Sequence, residues 1–138
     1  MKKEEALKIV QDENTYYSSP YITEELWDDK EVVMTAIKNR IYCIERVSKR
    51  LRNDPEVIFA AIKEYYYAVE YASKRLLNDK KFMLEAVKIK IGVLGYASER
   101  LHNNKKFIKE VLKYNPYGFI YIKDKLKEKI MEIIDKHL

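Results

Sequence analysis

LRNDPEVIFAAIKEYYYAVEYASKR, residues 51–75, decides the fold, because the chain repeats it in register every 25 residues. LWDDKEVVMTAIKNRIYCIERVSKR (26–50), LLNDKKFMLEAVKIKIGVLGYASER (76–100) and LHNNKKFIKEVLKYNPYGFIYIKDK (101–125) align with it without a gap. Self-similarity at a fixed period of this length marks an array of small units, none of which buries its own apolar face. Leu26, Leu51, Leu76 and Leu101 open the units, and Lys38, Lys63, Lys88 and Lys113 hold the thirteenth place. Arg50, Arg75, Arg100 and Lys125 close them.

An Asp-Asp, Asn-Asp, Asn-Asp or Asn-Asn pair fills places three and four of each unit, ending at Asp29, Asp54, Asp79 and Asn104. A side-chain acceptor there predicts an N-cap, and Pro55 follows at the first helical position, where a missing N–H costs nothing. The first helix runs about eleven residues. Val57, Ile58, Ala61 and Ile62 form its apolar stripe, while Met34, Phe59 and Leu84 stand on a second face turned to an adjacent repeat. The place-thirteen lysines lie opposite the stripe and face water. A second helix is expected after a break, capped by Asn115 with Pro116 at N1, and running through Gly118, Phe119 and Ile122 to Leu126. In the second unit its apolar set is Ala68, Val69, Ala72 and Leu76. Each unit is thus read as two short antiparallel helices, stable only when stacked on its neighbours.

Residues 1–25 form a degenerate N-terminal unit. Tyr17, Tyr21 and Ile22 keep the register with Ser19 and Pro20 as cap and N1, and Ala6, Leu7, Ile9 and Val10 line one side of a shifted first helix. Residues 126–138 read as a capping helix with Ile130, Ile133 and Ile134 inward and Lys127, Glu128, Lys129, Glu132, Asp135 and Lys136 outward. The expectation is an all-α fold: a short α-solenoid of about five 25-residue units plus the capping helix, one domain over 1–138.

The closest units carry Asp-Lys/Pro-Glu-Val-Val/Ile-x-x-Ala-Ile/Val-Lys followed by Tyr-Ala-Val-x-Tyr-Ala-Ser-Lys/Glu-Arg-Leu. This pattern resembles the tandem repeats of the domain of unknown function 4116 family, over roughly residues 26–125. The resemblance implies an all-helical repeat array with no agreed activity and no catalytic residues to carry over. The chain departs from it at Arg46, where Tyr71, Tyr96 and Tyr121 stand in the other units, at Gly92, which replaces tyrosine, and at Lys123, which replaces serine.

Composition narrows the chemistry. In 138 residues there is one cysteine, Cys43, on an inward face, so no internal disulfide forms and a cytoplasmic setting is expected. No apolar run reaches the roughly 18 residues of a membrane span. Ser48, Ser73 and Ser98 recur without a recurring histidine, and are read as small residues that permit close packing. His102 and His137 give no metal-ligand spacing, and no glycine-rich phosphate cradle is present. No enzyme, cofactor or metal is expected.

Two surfaces remain. Lys38, Lys63, Lys88, Lys113, Arg50, Arg75, Arg100 and Lys125 form stacked basic columns that could follow a phosphate backbone, or could be solvated faces relieved by Glu31, Glu45, Glu56, Glu70, Glu85 and Glu110. The net charge of +5 is mild, but residues 26–138 carry 24 basic against 16 acidic side chains, a balance of +8. The 12 tyrosines include the i, i+4 pairs Tyr67/Tyr71 and Tyr117/Tyr121, read as neighbouring rings. Tyr42, Tyr67, Tyr71, Tyr96, Tyr117, Tyr121 and Arg46 are therefore the candidate partner-binding residues, set against the plainer reading that the rings are spacers in the stack. The expected function is a protein-interaction module, an adaptor or inhibitor; the alternative is an RNA- or DNA-binding module built on the basic columns and tyrosines.

Overall fold

The computed structural model describes residues 1–12, 21–40, 42–122 and 124–137, with side chains beyond residue 122 at 127, 128, 130–132 and 134–136. Tyr17, Ser19, Pro20, Lys123, Lys125, Leu126, Lys129, Ile133 and His137 lie outside the described side chains. Every regular element among the described residues is helical, as an array of helical repeats requires. The chain divides into two compact units, Met1–Ser73 and Lys74–Leu138.

In the first unit, α1 (Lys3–Gln11), α2 (Lys30–Lys38) and α4 (Pro55–Glu64) are the longer helices. In the second they are α6 (Lys80–Ile89), α8 (Lys105–Tyr114) and the C-terminal α9 (Asp124–His137). The caps fall where the acceptors stand. Asp29 Oδ1 accepts from Val32 N–H at 3.1 Å, Asp54 from Glu56 at 3.0 Å, Asp79 from Phe82 at 3.0 Å and Asn104 from Phe107 at 2.9 Å. The predicted stripe is buried throughout: Val57, Ile58, Ala61 and Ile62 in α4, with Phe82, Met83, Ala86 and Val87 at the same places in α6. Leu51, Leu76 and Leu101 are fully buried. Ala6 and Val10 bury the inner side of α1.

The second half of each period differs from the expected single helix. A 3-10 helix forms at Ile44–Arg46 and Tyr66–Tyr71 in the first unit, and at Ile91–Tyr96 and Pro116–Tyr121 in the second. Its bonds close over three residues, as in Ala68 N–H to Tyr65 O at 2.9 Å and Gly118 N–H to Asn115 O at 3.0 Å. Asn115 does cap the last of these, accepting from Tyr117 N–H at 3.0 Å with Pro116 at N1. The residue after each 3-10 helix then turns extended: ψ is 140° at Val47, 151° at Ala72, 151° at Ala97 and 142° at Ile122. One-turn helices follow at α3 (Lys49–Arg52), α5 (Lys74–Leu77) and α7 (Glu99–His102). The break has a chemical cause. Serine competes for local backbone donors and prefers a cap to a helix interior, and the preceding aromatic, β-branched and glycine residues are poor α-formers.

These serines are therefore more than small packing residues. Ser48 Oγ accepts from Leu51 N–H, and Ser98 Oγ from Leu101 N–H, each at 3.2 Å. Each hydroxyl also donates backwards to place three of its own period: Ser48 to Asp28 Oδ1 at 2.5 Å, Ser73 to Asn53 Oδ1 at 2.6 Å and Ser98 to Asn78 Oδ1 at 2.7 Å. Their backbone N–H groups do the same one residue earlier, onto Trp27 O at 3.1 Å, Arg52 O at 3.0 Å and Leu77 O at 2.8 Å. Start and end of the period are thus tied together. The closing arginine tightens the tie, since Arg50 Nε and NH2 reach Asp28 Oδ1 and O at 3.0 and 2.6 Å, and Arg100 reaches Asn78 Oδ1 and O at 2.7 and 2.6 Å.

A second link joins successive first helices in the N-terminal unit. Lys3 Nζ bridges Asp29 and Glu31 at 3.1 and 2.7 Å, and Lys30 Nζ bridges Asp54 and Glu56 at 2.9 and 2.6 Å. One ammonium thus pairs with the cap carboxylate and with the first-turn glutamate of the next helix. The paired carboxylates raise the pKa of both lysines.

α9 differs in its facing. Lys127, expected outward, is half-buried: its ammonium donates to Ile120 O at 3.0 Å and sits 5.9 Å from the Phe119 ring centre. Ile134, expected inward, is exposed, as is Met131. Lys127 turns inward because its ammonium finds a carbonyl oxygen and a ring face there.

Two tests follow from the ties. Ser98→Ala should destabilise the protein by about 1–2 kcal/mol in a urea titration, since it removes a cap and leaves Asn78 short of a donor; an unchanged midpoint would show the tie is idle. The Ser48 hydroxyl, then the Arg50 guanidinium, hold the Asp28 carboxyl below its ordinary value of 3.8. A lowered folded pKa contributes stability above the unfolded value that is lost as pH falls through the folded one. Acidification below about pH 4 should therefore lower the melting temperature, and Asp28→Asn, which copies Asn53 and Asn78, should reduce that acid dependence, the remainder belonging to Asp29 and Asp54, whose carboxyls are also lowered.

Candidate interaction surfaces

Places six, nine, ten and thirteen share the outer face of each first helix, by their i, i+3, i+4, i+7 spacing. In α2 and α4 these are Glu31, Met34, Thr35, Lys38 and Glu56, Phe59, Ala60, Lys63. Both helices line one open groove of about 740 Å³, floored by half-buried Met34 and Phe59 and edged by Lys38 and Lys63. The second apolar face foreseen for Met34 and Phe59 is this groove. In α6 and α8 the same places read Lys81, Leu84, Glu85, Lys88 and Lys106, Lys109, Glu110, Lys113. Here the groove is about 380 Å³, lined by Lys81, Leu84, Lys88, Glu110, Val111 and Tyr114 among others.

The two basic columns part company. Lys38, Lys63, Lys88 and Lys113 are all exposed, as expected. The glutamates proposed to relieve them do so only in part: Glu31 and Glu56 pair with Lys3 and Lys30, Glu110 pairs with Lys80 at 3.0 Å, and among the described residues Glu85 alone meets a column lysine, Lys88, at 3.2 Å. Arg50 and Arg100, by contrast, are spent on the period ties. Arg75 is exposed, and Lys125 lies outside the described side chains. First-turn charge also differs. α2 and α4 open with Glu31 and Glu56, whereas α6 and α8 have no acidic residue in the first turn and open with Lys80-Lys81 and Lys105-Lys106. Cations at a helix N-terminus oppose the macrodipole, at about 0.3–1 kcal/mol each.

The tyrosines also divide. In the first unit Tyr42, Tyr65 and Tyr67 form a triangle with ring centres 5.5, 5.9 and 5.8 Å apart, and Tyr66 joins Tyr67 at 5.8 Å. Rings this close pack on one another and leave no room between them. Tyr65 Oη donates to Arg40 O at 2.9 Å, at a residue whose φ of 61° is left-handed. Burial and then the adjacent Tyr71 hydroxyl push the Tyr42 phenol well above its ordinary pKa. Tyr71 therefore pairs with Tyr42, not with Tyr67 as an α-helical i, i+4 spacing implied; a 3-10 helix repeats at three residues. Arg46 is likewise occupied. It donates to Ile22 O at 3.1 Å and lies 5.3 Å over buried Trp27, which explains why tyrosine is absent at this place.

In the second unit Tyr96 is half-buried, but Tyr117 is 74% exposed, Ile120 64%, Tyr114 55% and Tyr121 38%. Gly118 lies buried between them because a Cβ there would meet Ile91 Cδ1 at 3.2 Å and Val111 Cγ1 at 3.3 Å. The segment 116–121 thus sits tight on the core while its rings point away. Ile120 and Tyr114 were missed by sequence reasoning, although Tyr114 adjoins the column residue Lys113 and was there to be noticed. Lys81 and Lys106 were missed as well; the replacement of Glu31 and Glu56 at their place was the available signal.

Remaining chemistry is sparse. Cys43 is buried and its thiol is pushed up to about 12 by burial, so it is a core residue. His102 is buried in α7. No group of His, Cys, Asp and Glu suited to a metal ion occurs among the described residues, and no helix among them is long and apolar enough to cross a membrane.

No curated protein and no solved structure matches the chain. A family model described as Domain of unknown function (DUF4116) matches at residues 3–52, 29–77, 54–101 and 79–127. Each match spans two 25-residue periods and overlaps the next by one. Matched end to end from residue 3 to 127, the chain belongs to the DUF4116 family.

Proposed function

We propose that this chain is a non-enzymatic protein-interaction module of the cytoplasm, an adaptor or inhibitor that grips another protein through the aromatic edge of its second unit. The observation that carries the reading is the exposed set Tyr117, Ile120 and Tyr121 on one 3-10 segment whose backbone is seated against the core by Gly118. Rigid exposed rings beside an exposed isoleucine are the composition of interface cores, and holding them ordered before binding lowers the entropy lost on association. The first unit contributes less. Tyr42 is engaged with both Tyr67 and Tyr71, and Arg46 with Trp27, while Tyr66 and Tyr67 keep exposed outer rims.

Tagged wild type and the Tyr117→Ala/Tyr121→Ala variant, used as bait in nuclease-treated lysate of the source organism, test this. A protein retained in stoichiometric amount by the wild type, and bound at least about tenfold more weakly by a variant of unchanged circular dichroism, is expected, since central tyrosines carry about 2 kcal/mol each. Equal retention by both, or none by either, would refute the reading.

A further inference from the structure

We infer that the outer face of α6 and α8 binds single-stranded nucleic acid. Charge changes at equivalent places of the repeat. Taking places six, nine, ten and thirteen together, the outer faces of α2 and α4 are each neutral, that of α6 carries +1 and that of α8 carries +2. Residues 1–73 hold 11 basic against 14 acidic side chains, while residues 74–138 hold 16 against eight, so all of the excess positive charge lies in the second unit.

The pairing pattern sharpens the contrast. In the first unit the glutamates of this face are bound by Lys3 and Lys30. In the second, Glu85 and Glu110 neutralise Lys88 and Lys80, and Lys81, Lys105, Lys106, Lys109 and Lys113 are exposed with no ion pair among the described residues. These five cations sit on two adjacent helices. Lys81 and the Lys105-Lys106 pair occupy helix N-termini, where the dipole adds to their field and where an anion is favoured. Mutual repulsion of this kind is relieved by a chain of phosphates.

Tyr114 selects the form of the ligand. It is exposed and stands in the same groove as Lys81, Leu84 and Lys88. A ring flanked by lysines stacks on an unpaired base, which a duplex keeps in its interior. Phosphate contacts and stacking on a ring carry no base identity, so the binding is largely indifferent to sequence.

Fluorescence anisotropy of fluorescein-labelled oligo(U) of 20 nucleotides with the full chain tests the inference. Binding should weaken with salt at a log–log slope of about −3, since each neutralised phosphate contributes about −0.7 on a single strand. Lys106→Gln/Lys109→Gln/Lys113→Gln should cut affinity at least tenfold without lowering the melting temperature, because it relieves like-charge repulsion. Tyr114→Ala should cost about tenfold more, whereas Lys38→Gln/Lys63→Gln should change binding less than twofold. Absence of salt-sensitive binding, equal loss in the Lys38/Lys63 variant, equal affinity for a 20-base-pair duplex, or equally effective competition by poly-L-glutamate would each overturn it; the last would mark the face as one for acidic polypeptides.

Discussion

The serine tie is the constraint on which the rest of the architecture depends. A hydroxyl that caps one turn and donates to an Asp or Asn twenty residues earlier fixes where the chain must return. Neither bond is strong alone, since a net intramolecular hydrogen bond is worth about 1 kcal/mol. Together with the backbone bond beside them they satisfy the donors that the break in the helix would leave open. In those three periods the tie holds the extended residue and the one-turn helix in place, whereas the 3-10 segment owes its form to its own aromatic, β-branched and glycine residues, since it also forms at Pro116–Tyr121, where Lys123 stands in the place of serine.

Most of the core was readable from the sequence, and the reason is burial. Leucine, valine and alanine at helical spacing state which face is inward, and Val57, Ile58, Ala61 and Ile62 are where the period places them. Caps were readable too, because Asp54 followed by Pro55 has few other meanings. What failed was the second helix. Hydrophobic periodicity over six residues does not distinguish three residues per turn from 3.6, and the serine that caps the turn after the break was read as a spacer. The lesson at Ser48, Ser73 and Ser98 is that a small polar residue at a fixed place in every repeat is more informative about backbone bonds than about packing.

The surfaces were less readable, because exposure depends on what else the side chain finds. Arg46 and Tyr71 have the composition of anchors and are consumed by neighbours, Trp27 and Tyr42, that lie 19 and 29 residues away in the chain. Arg50 and Arg100 looked like rungs of a charged column and are struts. Conversely, Lys81 and Lys106 attract no notice in a lysine-rich chain until they are set beside Glu31 and Glu56, whose place they take. In a repeat protein the informative comparison is down the column, where the scaffold is held constant and only the surface varies.

The tie also has a kinetic side. Its partners are separated by only 20 to 22 residues, so each period closes over a short loop and the entropy lost in doing so is small. Contacts of such low sequence separation form early and fast. A ribosome releasing this chain would expose a foldable segment after each successive serine, so ordering can keep pace with synthesis instead of waiting for the last residue.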